Sequence, residues 1–307
     1  VSPAAPPRVP ATALAVGAIV SVQFGNAIAG STFSEVGSLG AATLRLVFAA
    51  IILMAVIRPR VHDWSRRTWG GVVLLGLGLG GMNSLMYLSI DRIPIGIAVT
   101  VELLGPLAVA VAGTRRARDL AWVALAALGV VMLGFDPNAS LAVDGIVFAG
   151  IAAIFWALYI VASSRLGSTA PGRTPPRGVD ALAIAMVVAA LIVTPFGATQ
   201  AVNAMISNPP VIAVFVGIAV MTSAVPYALE FVALKTMSTR VFGVLSSLAP
   251  AAAALAGLLV LGQVLTVLQV VAVGAVIVAS VGAVAGARPP RGGPEPLTEP
   301  GVVPPPG

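Results

Sequence analysis

No cysteine occurs in the 307 residues, which excludes disulfides, thiolate metal sites, iron–sulfur ligation and cysteine nucleophiles together. Histidine is almost as scarce: His62 stands alone beside Asp63 in a basic stretch, so there is no histidine cluster for a metal and no base for a serine triad. No phosphate-binding loop signature is present, so the chain does not draw directly on nucleoside triphosphate hydrolysis. Charged residues make up 9% and aromatic residues 6%, against 58% hydrophobic, with a mean hydropathy of +1.03. Soluble domains do not have this composition. The apolar content comes from Ala, Val, Leu, Ile and Gly, which suits close helix packing in lipid. An enzyme is not indicated, and no cofactor or metal is implied.

A spanning helix needs about 20 mostly apolar residues, because the hydrocarbon core is about 30 Å thick. Ten segments qualify, near 12–29, 37–57, 69–90, 95–112, 120–134, 143–164, 180–196, 210–229, 239–260 and 265–286. The fifth and seventh are short. The expected fold class is all-α integral membrane with ten transmembrane helices. The first segment ends in Ala27-Ile28-Ala29, which resembles a signal-peptidase site, but Gln23 and Asn26 are unusual for a signal sequence, so the segment is read as a retained helix.

The net charge of +6 would suggest nucleic acid in a soluble protein, but the basic residues lie in short loops between apolar spans, and topology explains them better. With the N-terminus inside, 15 of the 17 Lys and Arg residues fall on cytoplasmic segments, from Arg8 through Arg58, Arg60, Arg66 and Arg67 to Arg288 and Arg291. Only Arg92 lies in an outward loop, and Arg45 lies within a span. This bias predicts ten spans with both termini cytoplasmic. Residues 1–11 and 287–307 are Pro- or Gly-rich and predict disordered cytoplasmic ends. The polar stretch 165–178 lies near the midpoint and is expected to link the two halves from between helices six and seven.

Residues 87–110 lie on 231–254 without gaps at a constant offset of 144, pairing Pro106 with Pro250, Leu104 with Leu248, Tyr87 with Phe231 and Asp91 with Lys235. Five spans per copy is an odd number, so two copies must face opposite ways. The expected organisation is a first five-helix repeat at 12–134 and an inverted second repeat at 143–286. Pro106 and Pro250 fall inside spans four and nine, where a proline removes a backbone hydrogen bond and disturbs the preceding turn. Helix breaks are expected there; such breaks border substrate sites in transporters, though prolines are also common in membrane helices generally.

Arg45 and Glu102 each lie about seven residues from the outer end of their spans. An unpaired charge there costs about 3 kcal/mol or more, so each should face the bundle interior and the two should pair. A static salt bridge is one reading. In the other, Glu102 exchanges a proton or meets a substrate amine, and is the coupling group. Gln23, Asn26, Asn83, Tyr87, Trp156, Tyr159, Thr222, Tyr227, Ser246 and Ser247 are placed at comparable depth. Asn83 with Tyr87 and Trp156 with Tyr159 share helix faces that could line a small polar cavity. For Thr222, Ser246 and Ser247, ordinary helix-to-helix hydrogen bonding is the plainer account. The run Gly76-Leu-Gly78-Leu-Gly80-Gly81 matches a dinucleotide fingerprint superficially, but no βαβ unit surrounds it, and close packing through Gly76 and Gly80 is preferred. Gly17, Ser21 and Gly25 form a second small-residue face.

The stretches GGMNSLMYLSIDRIPIGIAVTVELLGPLAVA and VPYALEFVALKTMSTRVFGVLSSLAPAAAALAGLLVLGQ resemble the drug/metabolite transporter superfamily of EamA type, in its threonine/homoserine exporter branch, over roughly residues 12–286. The resemblance implies two inverted five-helix repeats, an inner (plasma) membrane location, and export of small hydrophilic amino acids by alternating access with proton antiport. Its partners would be a small-molecule substrate, protons and the lipid bilayer, with no nucleic acid; a ten-span chain already contains both halves, so a monomer is expected. Arg45, Asn83, Glu102 and Glu230 match positions of the branch. Ala249 and Gln263 depart from it, standing where the branch usually carries Glu. From the residues, the candidate substrate-binding set is Arg45, Glu102, Asn83, Tyr87, Gln23, Asn26, Trp156, Tyr159, Tyr227 and Ser246. A lipophilic drug or metabolite exporter and a membrane scaffold without transport remain as alternative functions.

Overall fold

The computed structural model describes residues 10–62, 64–112, 117–134, 142–167, 178–234 and 239–286. Every regular element among them is helical, in the order α1 (Ala11–Gly30), α2 (Phe33–Val36), α3 (Ser38–Ile57), α4 (Arg66–Ile90), α5 (Ile95–Glu102), α6 (Leu104–Ala112), α7 (Ala117–Gly134) and α8 (Val143–Gly167). Then come α9 (Gly178–Ser207), α10 (Val211–Ala219), a π-helical turn (Val220–Ala224), α11 (Val225–Leu234), α12 (Thr239–Ser246), α13 (Ala249–Leu261) and α14 (Val267–Gly286). Seven helical stretches are long and apolar enough to cross a bilayer, and Ile95–Val109, Leu120–Met132 and Val211–Ala224 are shorter apolar ones. The chain is a multi-pass membrane protein. The ends 1–9 and 287–307 and the linker residues 168–177 lie outside the described residues.

Helix starts follow local chemistry. Pro10, Pro94 and Pro210 precede α1, α5 and α10, where a missing N–H costs nothing, and Ser65 accepts from the Thr68 backbone N–H at 3.2 Å to cap α4. Two expectations change. The seventh span, expected at 180–196, runs on as α9 to Ser207 with Pro195 inside it, because a helix packed among others in lipid tolerates a proline that would break it in water. The linker expected from 165 begins later, since Arg165–Gly167 continue α8.

α4 lies between α8 and α9, and glycine sets both contacts. An added Cβ at Gly78 would sit 3.1 Å from the Tyr159 backbone and one at Gly81 2.5 Å from the Phe155 ring, both on α8. At Gly76 and Gly80 it would meet Val188 and Ala189 on α9. The packing role read for Gly76 and Gly80 therefore holds, and Gly78 and Gly81 serve the opposite face. α3 also packs on α9, α1 on α11 and α13, α5 on α13, and α7 on α14. The second small-residue face, Gly17, Ser21 and Gly25, meets Leu229, Met221 and Thr222.

The π turn explains one of those contacts. The Val225 N–H bonds back to the Val220 carbonyl, and residue 226 is proline, so the Met221 carbonyl has no donor on its own helix. Ser21 Oγ donates to it at 2.7 Å. A carbonyl of the turn is thereby satisfied from α1, which fixes α1 against the π turn at that level.

Candidate functional site

Connectivity gives the bundle an Arg-rich end, with Arg58, Arg60, Arg66 and Arg165, and an Arg-poor end, where Gly30 lies against Ile90 and Leu261. Near the Arg-poor end, five of the candidate residues come together. Arg45 on α3 donates from Nη1 to Asn26 Oδ1 on α1 at 2.9 Å, and its guanidinium lies 5.4 Å from the centre of the Tyr87 ring on α4. Tyr87 is wholly buried, and Phe33 of the short helix α2 covers it at a ring distance of 5.3 Å. Glu102, 8% exposed like Arg45, lies within electrostatic reach of that guanidinium. Gln23, on the same face of α1 one turn from Asn26, is buried as well.

The expected Arg45–Glu102 pair is not a direct ion pair among the described residues, because the guanidinium turns its hydrogen bond to Asn26 instead. What remains is a set of buried polar groups with unused capacity. By strict geometry Tyr87 Oη and Gln23 Oε1 have no hydrogen-bond partner, although the Arg45 guanidinium stands close enough to the Tyr87 oxygen to act on it. Arg45 uses one of its five N–H donors. Such groups cost free energy in an apolar surrounding unless something completes them.

The other candidates are placed differently. Asn83 is buried on α4 and spends its amide N–H on the Leu79 carbonyl at 2.8 Å. Ser246 and Thr222 each bond back to their own helix, to Phe242 O and Ile218 O, and Ser247 Oγ pairs with Ser280 Oγ at 2.8 Å. The helix-to-helix bonding expected of these hydroxyls is therefore found for Ser247 alone, while Ser246 and Thr222 satisfy themselves within their own helices. Tyr159 and Trp156 lie on α8 and are partly buried. The Tyr227 side chain is outside the described residues.

The expectation of comparable depth is corrected by register. α4 and α8 run antiparallel, with Gly81 against Phe155, Gly78 against Tyr159 and Gly71 against Leu166. Tyr159 is thus level with Gly78, nine residues below Tyr87, or about 13 Å toward the Arg-rich end. Position within a span, counted from sequence, does not give this level until the two helices are set side by side.

Both prolines border a helix interruption. α5 stops at Glu102 and α6 resumes at Leu104, since Pro106 cannot donate to the Glu102 carbonyl. α12 stops at Ser246 and α13 resumes at Ala249, with Pro250 in its first turn. Two glutamines close the Arg-poor end. Gly262, at φ +66°, ends α13 in a left-handed turn, the Gln263 N–H bonds to the Gly257 carbonyl, and Gln263 Oε1 then accepts from the Ile95 N–H at 3.0 Å, capping α5. Gln200 Oε1 on α9 likewise accepts from the Gly40 N–H at 2.8 Å at the start of α3. Gln263 thus keeps the acceptor that a glutamate would offer there and drops the charge. Neither cap was legible as such, because each spans more than 150 residues of sequence. The described residues hold no acidic or histidine cluster suited to a metal.

An apolar helix bundle enclosing a base, an acid and unpartnered hydroxyl and amide groups is the arrangement expected where a solute or ion passes through a membrane protein. Residues 143–285 match the family model described as EamA-like transporter family. The threonine/homoserine exporter RhtA of Escherichia coli K12 is 40% identical over 86% of this chain and 88% of its own length. The RhtA of Salmonella typhimurium LT2 is 39% identical with the same coverage. A solved crystal structure covers 91% of this chain and 99% of its own at 20% identity and a TM-score of 0.49, a likeness too slight to place single helices. The chain belongs to the EamA-like transporter family.

Proposed function

We propose that this protein exports small hydrophilic amino acids of the threonine/homoserine kind, by alternating access about the buried cluster of Arg45, Glu102, Tyr87, Asn26 and Gln23. The observation that carries the reading is the unused hydrogen-bonding capacity of that cluster. An amino acid brings a carboxylate for the guanidinium, an ammonium for Glu102 and a side-chain hydroxyl for the remaining acceptors, and so completes each group. Glu102 is the coupling group, holding a proton when the solute is absent, which makes the cycle a proton antiport. The names of the curated relatives support the substrate class.

In this reading the three shorter apolar stretches also cross the bilayer, giving ten spans in two inverted repeats, 12–134 and 143–286. The helix interruptions at Leu103 and Ser247 are 144 residues apart, the same offset as the sequence repeat, and the family match over 143–285 coincides with the second copy. The Arg-rich end is cytoplasmic, both termini are inside, the membrane is the inner (plasma) membrane, and one copy suffices.

Counterflow of labelled threonine and homoserine in proteoliposomes tests the proposal. Exchange by the wild type that is lost in Glu102→Gln is the expected result. Proton flux driven only by lipophilic cations would favour a drug exporter, and absence of any flux would leave a scaffold.

A further inference from the structure

We infer that Glu230 and Tyr159 form a second station for the solute's ammonium group, nearer the Arg-rich end than the Arg45–Glu102 cluster. The inference rests on the amino-acid reading above.

Two independent registers place it. On α1 and α11, Gly25 lies against Met221 and Thr222, and Gly17 lies against Leu229. Glu230 is therefore at the level of Gly17, nine residues from Asn26, or about 13 Å along the helix axis. On α4 and α8, Tyr159 is level with Gly78, again nine residues from Tyr87. Two separate helix pairs so bring an acid and a phenol to one depth. Glu230 lies within electrostatic range of the Tyr159 phenol, although α8 packs on α4, α5 and α6 while α11 packs on α1, and α8 and α11 form no extended contact with each other. Residues that sense each other across helices that do not pack face a shared space.

Among the described residues, the two side chains brought to that depth, Glu230 and Tyr159, carry no positive charge. Among the described residues, Glu230 has no hydrogen bond and no ion pair, and neither does the Tyr159 hydroxyl. Glu230 stands on α11 where the eighth span reaches the Arg-rich end, and an unpartnered carboxylate at such a place is a candidate for a solute or ion path. A carboxylate and a phenol oxygen together offer acceptors to the three N–H donors of a primary ammonium, whereas the solute carboxylate finds a single neutral donor, the phenol O–H, beside a like-charged group. The upper cluster has the guanidinium for that purpose. A solute entering from the Arg-rich face meets Glu230 first through its ammonium, then passes to the cluster where both of its charges are matched.

The test is labelled L-threonine exchange in proteoliposomes of known orientation, with half-saturation read separately from each face. Glu230→Gln should raise half-saturation from the Arg-rich face about ten-fold and leave the opposite face within about two-fold, while Glu230→Asp recovers most of the loss. Tyr159→Phe, which leaves the acid in place, should raise the same face about three-fold, and it decides between the outcomes alone should E230Q not reach the membrane. Unchanged half-saturation in these variants, or equal loss from both faces, overturns the station. A wild type that exchanges no threonine overturns the amino-acid reading, and the ammonium station with it.

Discussion

Helix α4 meets its neighbours through two faces made of opposite materials. Toward α8 and α9 it presents glycines at 71, 76, 78, 80 and 81; at Gly78 and Gly80 the neighbouring backbone comes up against it, and at Gly71, Gly76 and Gly81 the side chains of Leu166, Val188 and Phe155 fill the space. Toward α2 and α3 it presents Tyr87, a buried side chain whose hydroxyl has no hydrogen-bond partner by strict geometry. The first face gains close van der Waals contact, the main attraction between helices where lipid is as apolar as leucine. The second forgoes satisfied hydrogen bonds. Under the proposed function the solute repairs that defect, and the contrast would then separate scaffold from site on a single helix.

Changes on the polar side should have the largest effect. Arg45→Lys keeps the charge but loses the planar fork, and Arg45→Ala loses both; with hydrogen bonds to charged groups worth about 1.5–3 kcal/mol each, threonine counterflow should fall about 10- to 100-fold, with R45A the worse. Disturbing the glycine contacts costs stability instead. A Cβ at Gly105 would sit 2.2 Å from the Ala153 carbonyl oxygen, which is backbone and cannot swing aside, so Gly105→Ala should destabilise by about 1–3 kcal/mol in thermal melts of the detergent-solubilised protein. Unchanged melting there would show that α6 and α8 are not held as described. Gln263→Ala strips the cap from Ile95 and should cost about 1 kcal/mol in the same assay. Gln263→Glu should retain it, since the acceptor survives. Smallest is Gly150→Ala, where an added methyl meets nothing within 4 Å; it should leave melting unchanged or raise it by about 1 kcal/mol through helix propensity.

The sequence was legible where local composition decides. Long apolar runs separated by arginine-bearing loops announce the spans, and small residues at spacings of four announce Gly76, Gly80 and the Gly17–Gly25 face. Arg45 and Glu102 were legible because charge inside a span is rare enough to demand an explanation. Long-range geometry was not legible. Whether Arg45 would hydrogen-bond Glu102 or Asn26 depends on helix rotation, which composition does not encode. The level of Tyr159 depends on the register of α4 against α8, and the reach of Gln263 to Ile95 on how the turn at Gly262 aims it. The expected end of α9 near Pro195 falls short because proline signals a helix end in water and a tolerated kink in lipid.

The turn at Val220–Ala224 sets where the rest of its span points. A π turn carries one residue more than an α-helix needs for the same rise, and each residue turns the chain by about 100°. Shortening that stretch by a single residue would swing Glu230 about a quarter turn around its axis, away from Tyr159, without altering one side chain downstream. The direction in which the acid looks is therefore a property of chain length at this point, tunable separately from the acid itself.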